Sequence, residues 1–322
     1  MKILITGGAG FIGSHLARAL VKEKHEVCVI DNLQTGSLGN IKDLSSCGNF
    51  RFVMDTILNG HVMKTLIRRS DIVYHLAAAV GVKYIIDNPL ESIKTNIAGT
   101  EIVLELANKL GKKKVIFAST SEIYGKNMSD KASFSETDDR LLGSTTITRW
   151  SYSCSKALDE FLALAYHREK KLPVVIIRFF NICGPGQTGR YGMVIPRFVQ
   201  QALLGHPITV FGDGRQTRSF THVQDAVRAI IKLAASAKAV GEVFNLGNPQ
   251  GITIGDLARK IKKMTGSGSE IIRVPYEKAY EKGFEDMRHR RPDIAKIRKC
   301  IGFKPKKGID DILEDVITYF EG

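Results

Sequence analysis

The sequence predicts an α/β protein, a doubly wound parallel-sheet domain joined to a smaller α/β domain. Three observations predict it. Short apolar runs alternate with amphipathic segments through the first half of the chain, and a glycine-rich turn directly follows the first of these runs. The length of 322 residues exceeds the roughly 250 at which a single core stops growing.

The expected strands are Lys2–Thr6, Glu26–Ile30, Ile72–His75, Val115–Ser119 and Val174–Phe179, each a short apolar run. Helical spacing of apolar residues marks Phe11–Lys22, Ser92–Leu110 and Tyr152–Lys171 between them, and Gly111 ends the second. After Gly184-Pro185-Gly186 the pattern breaks into short segments punctuated by glycine and proline, so a second domain is expected from residue 181. Val223–Ala237 and Val243–Leu246 are expected to return to the first domain as a helix and a strand. The first domain then covers residues 1–180 plus about 220–247, and the second covers 181–219 plus 248–322. Ile309, Ile312, Leu313, Val316, Ile317 and Phe320 repeat at the three-and-four spacing of one buried helix face.

With 43% apolar and 25% charged residues the chain reads as a soluble globular protein, and no run approaches the roughly 18 apolar residues of a membrane span. Five scattered cysteines without a C-x-x-C pair suggest neither a disulfide framework nor a metal site, and a reducing cytoplasm is the simplest home. The net charge of +14 is spread along the chain and accompanies no nucleic-acid-binding module. An anionic small molecule therefore fits the charge better than nucleic acid.

Gly7-Gly8-Ala9-Gly10-Phe11-Ile12-Gly13 lies between a strand and a helix, the setting of a dinucleotide-binding loop in a Rossmann domain. Glycine there lets a pyrophosphate approach the free N–H groups of the helix N-terminus, with Phe11 and Ile12 in the first turn. Asp31 ends the second strand, beside Asn32, where a carboxylate accepts from ribose hydroxyls and repels a 2′-phosphate; the expected cofactor is NAD. Asp55 is a candidate for the adenine edge, or a plain turn aspartate. Leu76, Ala77 and Ala78 end a strand with small residues that admit a cofactor.

Tyr152 and Lys156, four apart at a helix start, share one face. A nearby ammonium stabilises a phenolate, which makes Tyr152 a candidate base, and Lys156 is also placed to hold the nicotinamide ribose. Ser119, Thr120, Ser121 and Glu122 end the preceding strand.

In combination, the glycine loop, Ser119-Thr120-Ser121-Glu122-Ile123-Tyr124-Gly125, Tyr152-x-x-x-Lys156 and Arg178-Phe179-Phe180-Asn181-Ile182-Cys183-Gly184-Pro185 resemble the extended short-chain dehydrogenase/reductases that act on nucleotide sugars. The likeness runs along essentially the whole chain. It implies a tightly held NAD, a UDP-sugar substrate and oxidation at C4, with Thr120 on the C4 oxygen, Tyr152 taking its proton, and Ser119 among the cofactor contacts. Asn181, Arg218 and Arg290 resemble positions that grip the nucleotide diphosphate, and Ser121 a sugar contact. The helices Ser92–Leu110 and Tyr152–Lys171 resemble the pair that forms a homodimer interface in that family.

Thr120-Ser121-Glu122 is most similar to the UDP-glucuronate decarboxylases, where a C4 ketone makes the C6 carboxylate a β-keto acid. The 4,6-dehydratases carry an Asp-Glu pair where this chain has Ser121-Glu122, and simple 4-epimerases do not need the glutamate. Arg149-Trp150-Ser151-Tyr152-Ser153-Cys154-Ser155-Lys156 and Gly283-Phe284-Glu285-Asp286 with His289-Arg290-Arg291-Pro292 resemble the decarboxylases too, which implies Arg290 as acid or carboxylate anchor. The alternatives are a UDP-glucose or UDP-glucuronate 4-epimerase, then a 4,6-dehydratase, then a non-catalytic NAD-binding scaffold.

Overall fold

The chain begins with β1 (Lys2–Thr6), α1 (Phe11–Lys22), β2 (Glu26–Asp31), β3 (Phe50–Met54), α2 (Gly60–Arg68), β4 (Ile72–His75), α3 (Val82–Asp87), α4 (Pro89–Lys109), β5 (Lys114–Thr120), α5 (Trp150–Lys170) and β6 (Val174–Phe179). There follow β7 (Ile182–Cys183), α6 (Val194–Leu203), β8 (Ile208–Phe211), β9 (Thr217–Ser219), β10 (Thr221–His222), α7 (Val223–Ala235) and β11 (Val243–Leu246). The chain closes with β12 (Gly251–Thr253), α8 (Ile254–Met264), β13 (Ile271–Val274), α9 (Tyr276–Ala279), β14 (His289–Arg290), α10 (Ala295–Ile301) and α11 (Ile309–Glu321). The computed structural model describes residues 1–126, 133–189, 192–279 and 287–322.

Seven strands form one parallel sheet in the order β11-β6-β5-β4-β1-β2-β3. The winding reverses on either side of β1, so a crevice opens between the carboxyl ends of β1 and β4, the place where such sheets bind ligands. Both faces are covered. On one, Leu16 and Leu20 of α1, Ala226 and Ile230 of α7 and Ile297 of α10 meet Ile3 and Ile5. On the other, Met63 and Ile67 of α2, Val103 and Leu104 of α4 and Ala163 of α5 meet Leu4 and Val73. Each such aliphatic side chain contributes about 1.5–3 kcal/mol when fully buried, so the sheet rigidly fixes the ends of its strands.

A separate core joins Phe198 and Val199 of α6, Val210 of β8, Leu257 and Ile261 of α8, and Leu313 and Val316 of α11. Beside it β9 pairs with both β12 and β14, and the β14 register sets Arg290 opposite Arg218. The expected grouping of residues 248–322 as one unit does not hold throughout: Ile294, Ile297 and Phe303 pack into the core of the large sheet. That return brings β14 back across the cleft.

Lys2–Thr6, Phe11–Lys22, Ile72–His75, Val174–Phe179 and Val243–Leu246 form as expected, and the other expected elements differ at their ends by one to three residues. Pro89 opens α4 because its fixed φ suits the first helical position. The helix expected from Tyr152 starts at Trp150, fed by a turn in which Trp150 N–H donates to Ile147 O. Sequence reasoning missed α2, α3, α6, α8, α9 and α10, none longer than 11 residues. Among the described residues no helix is long and apolar enough to cross a membrane.

Candidate active site

The N-cap of α1 is Gly10, which offers no side-chain cap and leaves the first amides of the helix open toward the crevice. Gly7 has φ +70°, and a Cβ there would stand 2.7 Å from Ala77 N; one on Gly13 would stand 2.3 Å from Gly7 O. The glycines thus keep loop, helix and β4 end in backbone contact. Asp31 is nearly buried, its carboxylate accepting from Ala9 N–H at 3.0 Å and Leu33 N–H at 2.8 Å. Burial pushes this carboxyl up, opposed by the backbone donors.

The remaining cofactor candidates line the same cleft of about 880 Å³, with Gly7, Gly10, Phe11, Ile12, Gly13, Asn32, Asp55, Leu76, Ala77, Ala78 and Ser119 on its wall. Asn32 accepts from Gln34 N–H at 3.2 Å. Asp55 accepts from Thr56 N–H and from Asn59, the residue capping α2, so it holds a turn as well as facing the cleft. Asn96 of α4 was not anticipated: it accepts from Ala79 N–H at 2.8 Å and fixes the wall. The glycine cradle, open amides and Asp31 carboxylate fit NAD.

Thr120 ends β5, and its Oγ1 accepts from Glu122 N–H at 3.1 Å, turning the chain so that Ser121 and Glu122 face the cleft. The Tyr152 hydroxyl, from α5, hydrogen-bonds Thr120; burial pushes the phenol well up, and that bond pulls the other way. Lys156, a turn further along α5, is buried and does not itself line the cleft. Its ammonium lies 3.2 Å from Asp159 and 4.0 Å from the centre of the Phe117 ring. Ser119 donates to Glu160 at 2.5 Å, and Glu160 is clamped by Arg178 of β6.

Glu122 sits between two guanidiniums. Arg149 reaches its Oε2 at 3.3 Å, and Arg290 from β14 ion-pairs with its Oε1. Arg290 also donates to Asn181 Oδ1 at 2.5 Å, while Asn181, in a left-handed conformation at φ +39°, donates to Ser219 O. Burial lowers Arg290 to about 10, so it remains cationic at neutral pH. Arg218 lines the cleft too, and one of its nitrogens donates to Met287 O at 2.8 Å, tying β9 to the chain entering β14. The expected Gly283–Asp286 loop lies outside the described residues. Arg149, three residues before Tyr152, was missed as a site residue, because its partner Glu122 lies 27 positions away. Arg197, over the Phe211 ring at 4.1 Å, extends the cationic and aromatic lining.

Residues 3–247 match the family described as the NAD dependent epimerase/dehydratase family. The chain is 46% identical over 320 residues to a UDP-N-acetyl-alpha-D-glucosaminuronate decarboxylase of Bacillus cytotoxicus, covering 99% of this chain and 97% of that protein. It is 36% identical to UDP-glucuronic acid decarboxylase 1 of Xenopus tropicalis, covering 99% and 72%. Among solved structures, UDP-glucuronic acid 4-epimerase from Bacillus cereus, in complex with UDP-glucuronic acid and NAD, superposes with a TM-score of 0.89 at 31% identity over 100% of this chain and 99% of that one.

Proposed function

This chain belongs to the NAD-dependent epimerase/dehydratase family, and on that premise we propose that it oxidises a UDP-linked hexuronate of the UDP-glucuronate type at C4 and releases C6 as carbon dioxide. The observation that carries the reading is Glu122 held between Arg149 and Arg290 beside Thr120 and Tyr152. A 4-epimerase exchanges hydride at C4 alone and has no use for an acid at C5. A decarboxylase needs both a proton donor for C5 and a cation for the carboxylate.

Gly7, Gly10, Phe11, Ile12, Gly13, Asp31, Asn32, Asp55, Leu76, Ala77, Ala78 and Ser119 form the wall that would hold NAD, which when bound supplies the hydride acceptor for C4. Tyr152 takes the C4 hydroxyl proton, Thr120 hydrogen-bonds that oxygen and Ser121 meets the sugar. Lys156 supports the Tyr152 phenolate electrostatically. With C4 a ketone, the C5–C6 electron pair moves toward the C4 oxygen as carbon dioxide leaves, and C5 takes a proton from solvent relayed by the Glu122 carboxylate. Arg290 anchors the carboxylate and then the enolate, while Asn181 and Arg218 grip the diphosphate.

The relative with 46% identity favours a 2-acetamido hexuronate as the natural substrate. Incubation with UDP-glucuronate and with its 2-acetamido counterpart, followed by assay of carbon dioxide and product sugars, tests the reading. Gas from either supports it; a C4 epimer that retains its carboxylate, from either sugar or from UDP-glucose, replaces it with the epimerase reading. Five unpaired cysteines support a cytoplasmic setting. Leu158 and Phe161, exposed on α5, support a homodimer through α4 and α5.

A further inference from the structure

Asp159 is a buried carboxylate that the reaction above does not use. It lies on α5 with 1% of its side chain exposed, its Oδ2 3.2 Å from the ammonium of Lys156, itself 2% exposed. Among the described residues neither Asp159 oxygen has a well-aligned hydrogen bond. Attraction between charges, with the Thr100 hydroxyl of α4 alongside, is what accommodates it.

Burial pulls Lys156 down; against it Asp159 is the main counter-charge, and Glu160, the other carboxylate that raises Lys156, acts less strongly. Glu160 of α5 is engaged by Arg178 of β6 and Ser119 of β5. His75 of β4 has its Nε2 3.2 Å from Thr100 and its Nδ1 2.8 Å from Thr6, and burial lowers it to about 3, so it is neutral. When Thr100 donates to Asp159, it accepts from His75 Nε2–H; His75 Nδ1 then accepts from Thr6, whose oxygen accepts from Ala77 N–H at 3.2 Å on the cleft wall. Thr120 of β5 faces Tyr152, and Asn96 of α4 faces Ser155.

We propose that Asp159 is a positioning residue that keeps Lys156 an ammonium inside this dry site, so that Lys156 can stabilise the Tyr152 phenolate across the working pH range. A lysine without a counter-charge in such surroundings drops by as much as 3–5 pKa units. Asp159 also offsets part of the ammonium's pull on the phenolate. Retention of the charge dominates, because a deprotonated lysine offers the phenolate nothing. The inference rests on the C4 oxidation proposed above and is indifferent to the fate of C6.

The first test is the pH profile of Asp159→Asn in the full-length, NAD-loaded protein, followed with whichever UDP-sugar turns over. The alkaline limb is expected to move at least one pH unit lower than in the wild type; an unmoved limb overturns the proposal. The second test reads no turnover, so it stands even if the proposed reaction fails. Lys156→Met leaves a buried carboxylate unpaired, and adding Asp159→Asn removes that charge, so the double variant is expected to melt higher than Lys156→Met alone. A double variant melting at or below Lys156→Met overturns the proposal, and this comparison holds even where Asp159→Asn alone does not fold.

Discussion

Tyr152 works against its own surroundings: burial, and to a lesser degree the Asp159 charge, favour the neutral phenol, and the Thr120 hydrogen bond acts in the other direction. Since the base form is the deprotonated one, turnover on the acid side should rise with pH, at most tenfold per unit. Tyr152→Phe should bind NAD normally and lose ~10²–10⁴ in turnover together with that rise; wild-type-like rates would show that another group is the base. Arg149→Met removes one of the two cations from Glu122 and leaves Thr120, Tyr152 and Lys156 in place. Truncating one member of a buried charge pair costs about 2–5 kcal/mol, so carbon dioxide release should fall at least about tenfold while reduced nicotinamide still forms. Unchanged gas release would remove Arg149 from the site. The Tyr152–Lys156 pair was legible in the sequence because both residues lie within one helical turn. The Arg149 contact was not, because it depends on where the turn after β5 points Glu122.

At the scale of elements, the cofactor loop depends on backbones packed too closely for side chains. Gly13→Ala would put a Cβ 2.3 Å from Gly7 O, and neither atom belongs to a flexible side chain that could yield. NAD affinity in that variant, read by fluorescence titration of NADH, should fall at least about tenfold, equivalent to about 1.4 kcal/mol or more; an unchanged affinity would show that the loop relaxes freely. The strands and long helices of the first half were readable because each buries one face or two with its own period. The pieces after Gly186 were less so. There β7, β10 and β14 are each two residues long, too short for any period, and their positions come from pairing partners remote in sequence.

For the whole molecule, the homodimer proposed above rests on α5. Leu158 and Phe161 are 50% and 58% exposed, on the same helix that carries Tyr152 and Lys156 on its buried side. Phe161→Asp should convert a dimer to a monomer in sedimentation velocity without disturbing NAD binding; a dimer that persists would place the interface elsewhere. The parallel sheet, the dinucleotide loop with Asp31, and the tyrosine–lysine spacing were determined by the sequence by itself, since each is a local pattern of periodicity, glycine or helical turn. Only the tertiary structure decided that Glu122 meets Arg149 across 27 positions and Arg290 across 168, and that Asp159 is paired inside rather than hydrated outside. Charge pairing and burial depend on distances through space, which no window along the chain contains.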